Sequence, residues 1–387
     1  MTRKRSYFLA LLSGILFVLS WPPLGFPFIL FIAFVPLLMI EHAFSSGQTT
    51  GKRATLFGLS YLTFFIWNVI TTFWVCNASL SGGIMAIFSN SFIMAAVIWI
   101  FHIVKKRLLT ANLPVRQAGW ALPTVNWLFA IFWLGYEFFH HNWDLTWPWL
   151  GLGNAFASVP SCIQWYEYTG TCGGTLWVLA VNLMILGLFK SGRSEGVPSG
   201  LADSRWKLAG IVFTIITPII ISVVMYRSYK ENPDPINIVI VQPNIDPYSE
   251  KFDGMNFEEQ LEKMLDLAAQ KVDSSTDYLV CPETALTESM WENDMEGTVS
   301  IRRLKSFIKP FPKLKIVVGA STSYMYDKNE KLSVTARKFT QQDDYYDSFN
   351  TAMQIDSSDV IQVYHKSKLV PGVERMPYPA VFGFLED

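Results

Sequence analysis

Seven apolar stretches fill the first 230 residues of the chain, and each is close to the length of a membrane-spanning helix. Such a helix needs about 20 mostly apolar residues. Arg3, Lys4 and Arg5 precede the first stretch as they would in a signal peptide, but no small-residue cleavage site follows, so we expect a retained helix. The predicted spans lie near residues 6–21, 27–44, 54–77, 82–104, 119–139, 170–189 and 207–226.

The hydrophobic pattern changes after residue 230, where short β-branched runs alternate with amphipathic stretches. Such runs predict strands, and an apolar stripe with charges opposite predicts a surface helix. The alternation predicts an α/β domain whose strands are covered by helices. We therefore divide the chain into a transmembrane helical bundle, residues 1–230, and an α/β domain, residues 231–387. The predicted strands cover 236–242, 278–281, 314–319, 349–355 and 360–364, and the predicted helices cover 257–272 and 297–309.

Composition supports this division. Of the 387 residues, 51% are hydrophobic and 16% charged, and the net charge is -1. Residues 1–230 hold 15 Lys or Arg and 6 Asp or Glu, whereas residues 231–387 hold 16 and 26. A typical soluble domain is about a quarter charged, so a soluble single-domain protein is excluded. The chain has no sustained basic patch, and we expect no nucleic-acid partner.

The basic residues of the bundle predict its orientation, because short cytoplasmic loops carry an excess of Lys and Arg. With the N-terminus inside, 13 basic residues fall in the predicted inside segments. The predicted outside loops, near 22–26, 78–81 and 140–169, contain none. An odd number of spans then places residues 231 onward outside.

The longest predicted outside segment, residues 140–170, is rich in aromatic residues that include Trp147 and Trp149. Trp and Tyr favour the head-group level of a bilayer. A plain interfacial belt and a lipid-binding role both remain open for this segment. Glu137 ends the fifth predicted span, where an ionisable side chain is costly and is a functional candidate. The adjacent His140 and His141 have no third ligand nearby, and we expect no metal site and no cofactor.

Two charged residues follow predicted strands, where α/β sheets commonly place their chemistry. Glu283 comes after a buried strand and a proline, so we expect a partly desolvated carboxylate that could act as a general base. Lys366 follows the strand that ends at Tyr364, and its ammonium could stabilise a developing oxyanion. A solvated loop residue is the alternative for each.

Together these residues resemble the nitrilase, or carbon-nitrogen hydrolase, superfamily, whose sites use a Glu base, a Lys and a Cys nucleophile in that order. A seven-span bundle before such a domain resembles the apolipoprotein N-acyltransferase family. The matching motifs are Trp21-Pro22-Pro23-Leu24-Gly25-Phe26, Tyr136-Glu137 with Trp147-Pro148-Trp149-Leu150-Gly151, Val241-Gln242-Pro243-Asn244-Ile245, Pro282-Glu283-Thr284-Ala285, and Tyr364-His365-Lys366-Ser367-Lys368-Leu369-Val370-Pro371 with Glu374.

The resemblance implies roles for individual residues. Glu283 is the expected general base, Lys366 the oxyanion-stabilising lysine, and Glu374 a second glutamate that supports the site. Phe252 stands where the family commonly has a Trp in a loop, so we expect a lipid contact there. Lys368 receives no catalytic role.

The resemblance also places the nucleophile downstream of Glu374, in a Cys-Tyr-Glu type motif. The sequence ends at Asp387, and its four cysteines do not fill that position. Cys281 lies two residues before the base on the same strand, where its side chain should point into the packing. We therefore expect the nitrilase-like αββα sandwich to be incomplete, the chain to be truncated, and this 387-residue chain to be inactive.

The family's activity is a two-step acyl transfer from a phospholipid to the diacylglyceryl-cysteine amine of an apolipoprotein, through a Cys thioester. The resemblance thus implies a multi-pass protein of the bacterial inner membrane, with a cytoplasmic N-terminus and a periplasmic C-terminal domain. A non-catalytic lipid- or lipoprotein-binding remnant of the family is the alternative. A transporter is a third, weaker hypothesis, because the spans hold few ionisable residues and no inverted repeat.

Overall fold

The computed structural model describes residues 1–23, 25–49, 53–110, 121–191, 201–246, 250–251, 254–333, 335–340, 342–371, 374–375 and 378. The chain forms two compact units. Unit 1 comprises Met1–Lys230 together with Pro371–Asp387, and unit 2 comprises Glu231–Val370. The prediction had assigned all of 231–387 to one domain, whereas here the residues from Pro371 onward group with unit 1.

Within the described residues, the Met1–Lys230 part of unit 1 consists mainly of helices. Short 3-10 segments at Pro27–Ile29, Phe73–Asn77, Pro148–Leu150, Leu152–Ser158 and Pro160–Cys162 connect the helices. The α-helices are α1 (Arg3–Ser20), α2 (Leu30–Ala33), α3 (Val35–Ser45), α4 (Arg53–Thr72), α5 (Leu80–Thr110), α6 (Ala121–His141), α7 (Tyr166–Ser191) and α8 (Leu201–Ser228).

Five helical segments within the described residues are long and apolar enough to cross a membrane, and the predicted count of seven is not confirmed. The helix α1 has 18 residues, of which Arg3, Lys4 and Arg5 are charged, so its apolar part is short for a span. The predicted span 119–139 begins outside the described residues. The five segments are Pro27–Ser45, Thr55–Asn77, Leu80–Thr110, Tyr166–Phe189 and Arg205–Ser228.

Aromatic side chains form the centre of unit 1. Trp67 stacks on Phe17 with ring centroids 4.6 Å apart, and Phe34 meets Phe17 and Trp133 edge-on, each at 4.7 Å. Edge-to-face and offset stacks are the favoured geometries for such pairs. Asn182 caps the break between α2 and α3: its Oδ1 accepts from the Phe34 N–H at 2.9 Å, while its Nδ2 donates to the Leu30 carbonyl.

Unit 2 contains one mixed, seven-stranded sheet, confirming the predicted α/β character. The strands β2, β3 and β4 run parallel, as do β1 and β2, and β6 pairs antiparallel with β4, β5 and β7. Two strands, β3 and β5, were not predicted. The strands are β1 (Ile238–Ile240), β2 (Tyr278–Val280), β3 (Leu286–Trp291), β4 (Lys315–Met325), β5 (Arg337–Lys338), β6 (Tyr345–Ile355) and β7 (Gln362–His365).

Two helices, α9 (Phe257–Ala269) and α10 (Val299–Ile308), share one hydrophobic core with the sheet. Alternate residues of β4 and β6 enter this core, as the period of a half-covered strand requires. A capping box starts α9, where Asn256 and Glu259 exchange hydrogen bonds with each other's backbone. Within the described residues no second sheet covers the opposite face, so the four-layer αββα arrangement is not observed there.

The chain returns to unit 1 after residue 370. The Arg375 guanidinium donates to Asp144 Oδ1 at 2.9 Å, and the Tyr378 backbone N–H donates to Asp144 Oδ2 at 2.9 Å. Asp144 lies in the long connection between α6 and α7 that the sequence predicted to be outside.

Candidate active site

Glu283 and Lys366, which the sequence predicts to be a base and a lysine, lie in contact in unit 2. The Lys366 ammonium donates to Glu283 Oε1 at 3.0 Å. The Asn350 side-chain amide donates to the same oxygen at 2.6 Å. These three side chains, Glu283, Asn350 and Lys366, are called the polar trio below.

The turn after β2 carries Glu283 over the neighbouring strand β4. Pro282 accepts a hydrogen bond from the Gly319 N–H at 3.1 Å, and a Cβ at Gly319 would strike the backbone of Thr284 and Glu283. Thr284 has a positive φ of 50°, which few residues other than glycine, Asn and Asp adopt readily. The bare backbone of Gly319 thus lets the turn cross β4 and reach Asn350 on β6.

Strand pairing sets the other two positions. The β6 and β7 strands pair with Thr351 opposite His365, and the Lys366 N–H donates to the Asn350 carbonyl at 2.8 Å. Lys366 is therefore the first residue after β7, beside Asn350. The sequence analysis missed Asn350, although it lies in the predicted strand 349–355; alternation of side chains along that strand was the available signal, because it places Asn350 on the face opposite the core residues Thr351 and Met353.

The Glu283 carboxylate is more exposed than the sequence analysis expected. Its side chain is 63% exposed, so the predicted partial desolvation is wrong for the described residues. The reason is that the turn crosses β4 at Gly319, on the face opposite the core residues Val318 and Ala320. The other two members of the polar trio both donate to Glu283 Oε1.

A cleft of about 90 Å³ adjoins Glu283. Lys251 lies at its edge and donates from Nζ to the Glu283 carbonyl at 3.4 Å. Desolvation lowers the pKa of Lys251, and the nearby Glu283 charge opposes that shift. The other polar side chains that line the cleft are those of Gln242, Asn244 and Gln260.

Cys281 is the only cysteine in the sequence after residue 230. Its side chain is buried in the core of unit 2 among residues such as Leu279. Burial raises the pKa of the Cys281 thiol to about 12, so it is protonated at neutral pH. Because the thiolate is the nucleophilic form, Cys281 does not serve as the nucleophile of this site.

The roles of two further predicted site residues, Glu374 and Phe252, are not tested. Glu374 belongs to the part of the chain that groups with unit 1, and its support of the Glu283–Lys366 pair stays a prediction. Phe252 lies outside the described residues, and its predicted lipid contact stays a prediction as well.

The remaining predicted residues lie in unit 1. The buried Glu137 carboxylate accepts from Trp133 Nε1 at 3.0 Å, from the Leu152 N–H at 2.9 Å and from Thr175 Oγ1 at 2.6 Å. These donors come from α6, α7 and the 3-10 segment between them. These contacts make Glu137 a link that fixes the connection between α6 and α7; a direct substrate contact for Glu137 stays a prediction.

The two predicted tryptophans lie in the same connection between α6 and α7. Trp147 and Trp149 have ring centroids 6.3 Å apart, and Trp149, 43% exposed, also meets Trp74 at 6.0 Å. Their placement is compatible with both an interfacial belt and a lipid contact, so lipid binding stays a prediction. His140, which the sequence left as a weak metal candidate, instead contacts Asn90 Oδ1 through Nε2 at 3.1 Å.

The helices of unit 1 and the sheet of unit 2 define a membrane protein that carries an α/β domain with a Glu–Lys pair. Comparison with known proteins gives the family. The profile of the apolipoprotein N-acyltransferase N-terminal domain matches residues 13–184. This match, over less than half of the chain, supports the apolipoprotein N-acyltransferase family for it.

Curated relatives match well beyond that region. The apolipoprotein N-acyltransferase of Chlorobaculum tepidum is 28% identical over 99% of this chain and 67% of the relative. The Aquifex aeolicus protein of the same name is 24% identical over 61% of this chain and 44% of the relative, and that of Thermotoga maritima is 23% identical over 98% and 64%. The chain thus spans about two thirds or less of the length of these relatives.

Proposed function

We propose that this protein is an apolipoprotein N-acyltransferase, which transfers an acyl chain from a phospholipid to the diacylglyceryl-cysteine amine of an apolipoprotein. The contact between Glu283 and Lys366 carries the proposal, because a general base and a fixed cation are two parts of a Glu–Lys–Cys triad. The similarity to the family's N-terminal domain and the names of the relatives support it. The cysteine is a part of the proposal and not of the described site.

In the first proposed step Glu283 takes the thiol proton, and the thiolate attacks the ester carbonyl of the phospholipid. A C–S bond forms, and the Lys366 ammonium stabilises the negative oxygen of the tetrahedral intermediate. The ester C–O bond then breaks, and the proton on Glu283 passes to the departing lysophospholipid hydroxyl. A thioester remains on the cysteine.

In the second step the lipoprotein amine attacks the thioester. A C–N bond forms, the C–S bond breaks, and the amine proton returns through Glu283 to the sulfur. Both substrates are anchored in the bilayer, so the helices of unit 1 would hold the reacting groups at one depth and orientation. We place the protein in the bacterial inner membrane, with the N-terminus cytoplasmic and unit 2 periplasmic.

The alternative function is binding of lipid or lipoprotein without chemistry. The observation that favours it is that the Cys281 thiol in unit 2 is buried and protonated at neutral pH. It predicts association with lipid and no covalent intermediate.

A thioester assay separates the two functions. The protein, expressed from its natural gene, is incubated with a phospholipid that has a fluorescent acyl chain, and the hydroxylamine-labile label on the protein is measured. Acyl transfer predicts a label that disappears in Glu283→Gln and moves to a diacylglyceryl peptide when one is added. Lipid retention without label in the natural protein would support the binding function and refute the transferase.

A further inference from the structure

A second polar cluster lies directly behind the polar trio, on the opposite face of the same strands. It consists of Glu292, His365, Thr322 and Thr351, and we name it the rear cluster. His365 lies in the lysine motif, but neither the motif nor the site described above gives the cluster a role. Its position follows from strand geometry, because successive side chains point to opposite faces of a sheet. The side chains of Asn350 and Lys366 lie on the face of the sheet that carries the polar trio. Those of their neighbours Thr351 and His365 therefore lie on the other face.

The hydrogen bonds of the rear cluster lead to one oxygen, Glu292 Oε1. His365 Nε2 lies 2.7 Å from Glu292 Oε1, and the Thr322 hydroxyl donates to the same Oε1 at 2.6 Å. Since Thr322 gives its proton to Glu292, the Thr351 hydroxyl donates to Thr322 Oγ1, at 2.6 Å. A carboxylate that accepts two short, charge-assisted hydrogen bonds holds its donors strongly.

Three members of the rear cluster are well shielded from solvent, whereas the His365 side chain is 38% exposed. Thr322 and Thr351 are 2% and 1% exposed, and the Glu292 side chain is 13% exposed. The His365 ring stacks on Phe349, with centroids 3.8 Å apart and planes 5° from parallel. The hydrogen bond to Glu292 and the stacking on Phe349 together fix the orientation of the His365 ring.

His365 is the last residue of β7, and Lys366 is the next one along the chain. Fixing the His365 side chain therefore fixes the backbone from which the lysine side chain starts. The β7 strand has only four residues, so strand pairing alone holds its end weakly. Thr351 adds a second link, since it neighbours Asn350 on β6. The rear cluster thus controls both donors of the polar trio.

We propose that Glu292 is a positioning residue for the acyl transfer: through His365 and the two threonines it holds Lys366 and Asn350 against Glu283. The role in catalysis rests on the proposed function, whereas the hold on Lys366 does not. Without the Glu292 carboxylate, the end of β7 loosens and the Lys366 ammonium leaves Glu283 for part of the time.

The test measures the reactivity of Lys366 in the natural full-length protein. Acetic anhydride is added at low dose, and mass spectrometry gives the rate of acetylation at each lysine. Glu292→Leu should accelerate acetylation of Lys366 at least threefold and leave exposed Lys368 unchanged. Glu292→Gln keeps an oxygen for His365 and Thr322, so its Lys366 rate should stay within twofold of wild type.

Glu296→Leu is the matched control. Glu292 and Glu296 both belong to the 3-10 segment Glu292–Gly297, and Glu296 pairs with Lys305 at 3.1 Å. If Glu292→Leu misfolds, Thr351→Val is a milder change in the same cluster. It should also accelerate the acetylation of Lys366. Unchanged acetylation of Lys366 in Glu292→Leu and Thr351→Val overturns the proposal, and so does an equal rise in Glu296→Leu.

Steady-state kinetics test the role of Glu292 in acyl transfer. In Glu292→Leu, kcat should fall at least tenfold with the KM for phospholipid unchanged, because the cluster touches no substrate. A rise in KM alone would contradict a positioning role. If Lys366 acetylation responds as expected while the wild-type protein transfers no acyl chain, the rear cluster stands and the proposed function fails.

Discussion

Lys366 Nζ lies 3.0 Å from Glu283 Oε1, although the two residues are 83 positions apart in the chain. The turn after β2 brings Glu283 across β4, and the end of β7 brings Lys366 from the other direction. The Lys366 side chain is 30% exposed. An ammonium that is held in place and only partly hydrated can stabilise negative charge without reorganising during a reaction.

Replacing Lys366 by methionine should therefore remove most of the acyl transfer. Loss of one preorganised donor to an oxyanion typically costs about 10²–10³-fold in rate. We expect Lys366→Met to lower kcat by about this factor, measured as the initial rate of N-acylation of a diacylglyceryl peptide in detergent. Lys368→Met is the control, since Lys368 is exposed and two residues away. Equal rates for the two variants would show that the ammonium of Lys366 is not used.

Asn350 should contribute by orienting the base. Its amide donates to Glu283 Oε1 at 2.6 Å, and hydrogen bonds to charged groups are worth about 1.5–3 kcal/mol. Asn350→Ala should lower kcat about tenfold or more under the same assay. Gln354→Ala alters the same face of the same strand four residues further on and should keep the wild-type rate. Full activity of Asn350→Ala would remove Asn350 from the site.

Gly319 should tolerate no side chain, because the turn that carries Glu283 crosses directly over it. A Cβ there would meet the backbone of Thr284 and Glu283, which cannot rotate away as a flexible side chain can. Gly319→Ala should displace the turn and reduce acyl transfer at least tenfold. Gly58→Ala has nothing within 4 Å of the new Cβ and is the control. A wild-type rate for Gly319→Ala would mean that the crossing is looser than the structure shows.

The elements that the sequence predicted well are those with a clear hydrophobic period. The predicted helix 257–272 is observed as Phe257–Ala269, and the predicted strand 278–281 as Tyr278–Val280. β3 was missed, since its sequence LTESMW places polar residues at three of six positions. β5 has only two residues, Arg337 and Lys338, so no period can be detected.

Two of the three residues of the polar trio could be predicted from the sequence, and the third could not. Glu283 and Lys366 follow strands and could be found from that pattern. Asn350 lies within a strand, where an amide is read as one more solvent-facing residue. Its role emerges only from the crossing of the Glu283 turn over Gly319. The exposure of Glu283 depends likewise on which sheet face the turn covers, and strand order alone does not set that.

Glu137 should matter for stability more than for chemistry. Its two carboxylate oxygens accept three hydrogen bonds, whereas glutamine has one such oxygen and an NH2 group that would face a donor. A buried donor left without an acceptor costs about 1–3 kcal/mol. We expect Glu137→Gln to lower the Tm of the detergent-solubilised protein by several degrees. Glu167→Gln, an exposed position in the first turn of α7, should leave the Tm unchanged. An unaltered Tm in Glu137→Gln would show that these hydrogen bonds to Glu137 do not stabilise the protein.

Glu288 should make the start of α10 dependent on pH. Thr298 precedes the helix without a side-chain capping bond, and Glu288 fills that role, accepting from the Val299 and Ser300 N–H groups at 3.0 and 2.7 Å. Burial alone raises the pKa of Glu288, but the hydrogen bonds from Ser300 and Val299 and the Arg302 charge outweigh it, and the pKa is lowered. A lowered pKa means that the folded protein favours the ionised form. The stabilisation is therefore complete above the unfolded pKa of about 4.3 and is lost as the pH falls through the lower folded value.

Hydrogen exchange at the first turn of α10 measures this effect. A lost helix cap costs about 1 kcal/mol, so Glu288→Gln should reduce the protection of the Val299 and Ser300 amides roughly fivefold at neutral pH. After correction for intrinsic exchange rates, the difference between wild type and Glu288→Gln should shrink below about pH 4, where the wild-type carboxylate becomes protonated. Glu296→Gln serves as the control and should match wild type at every pH. A gap between wild type and Glu288→Gln that stays constant down to pH 3 would show that charge on Glu288 does not stabilise the helix.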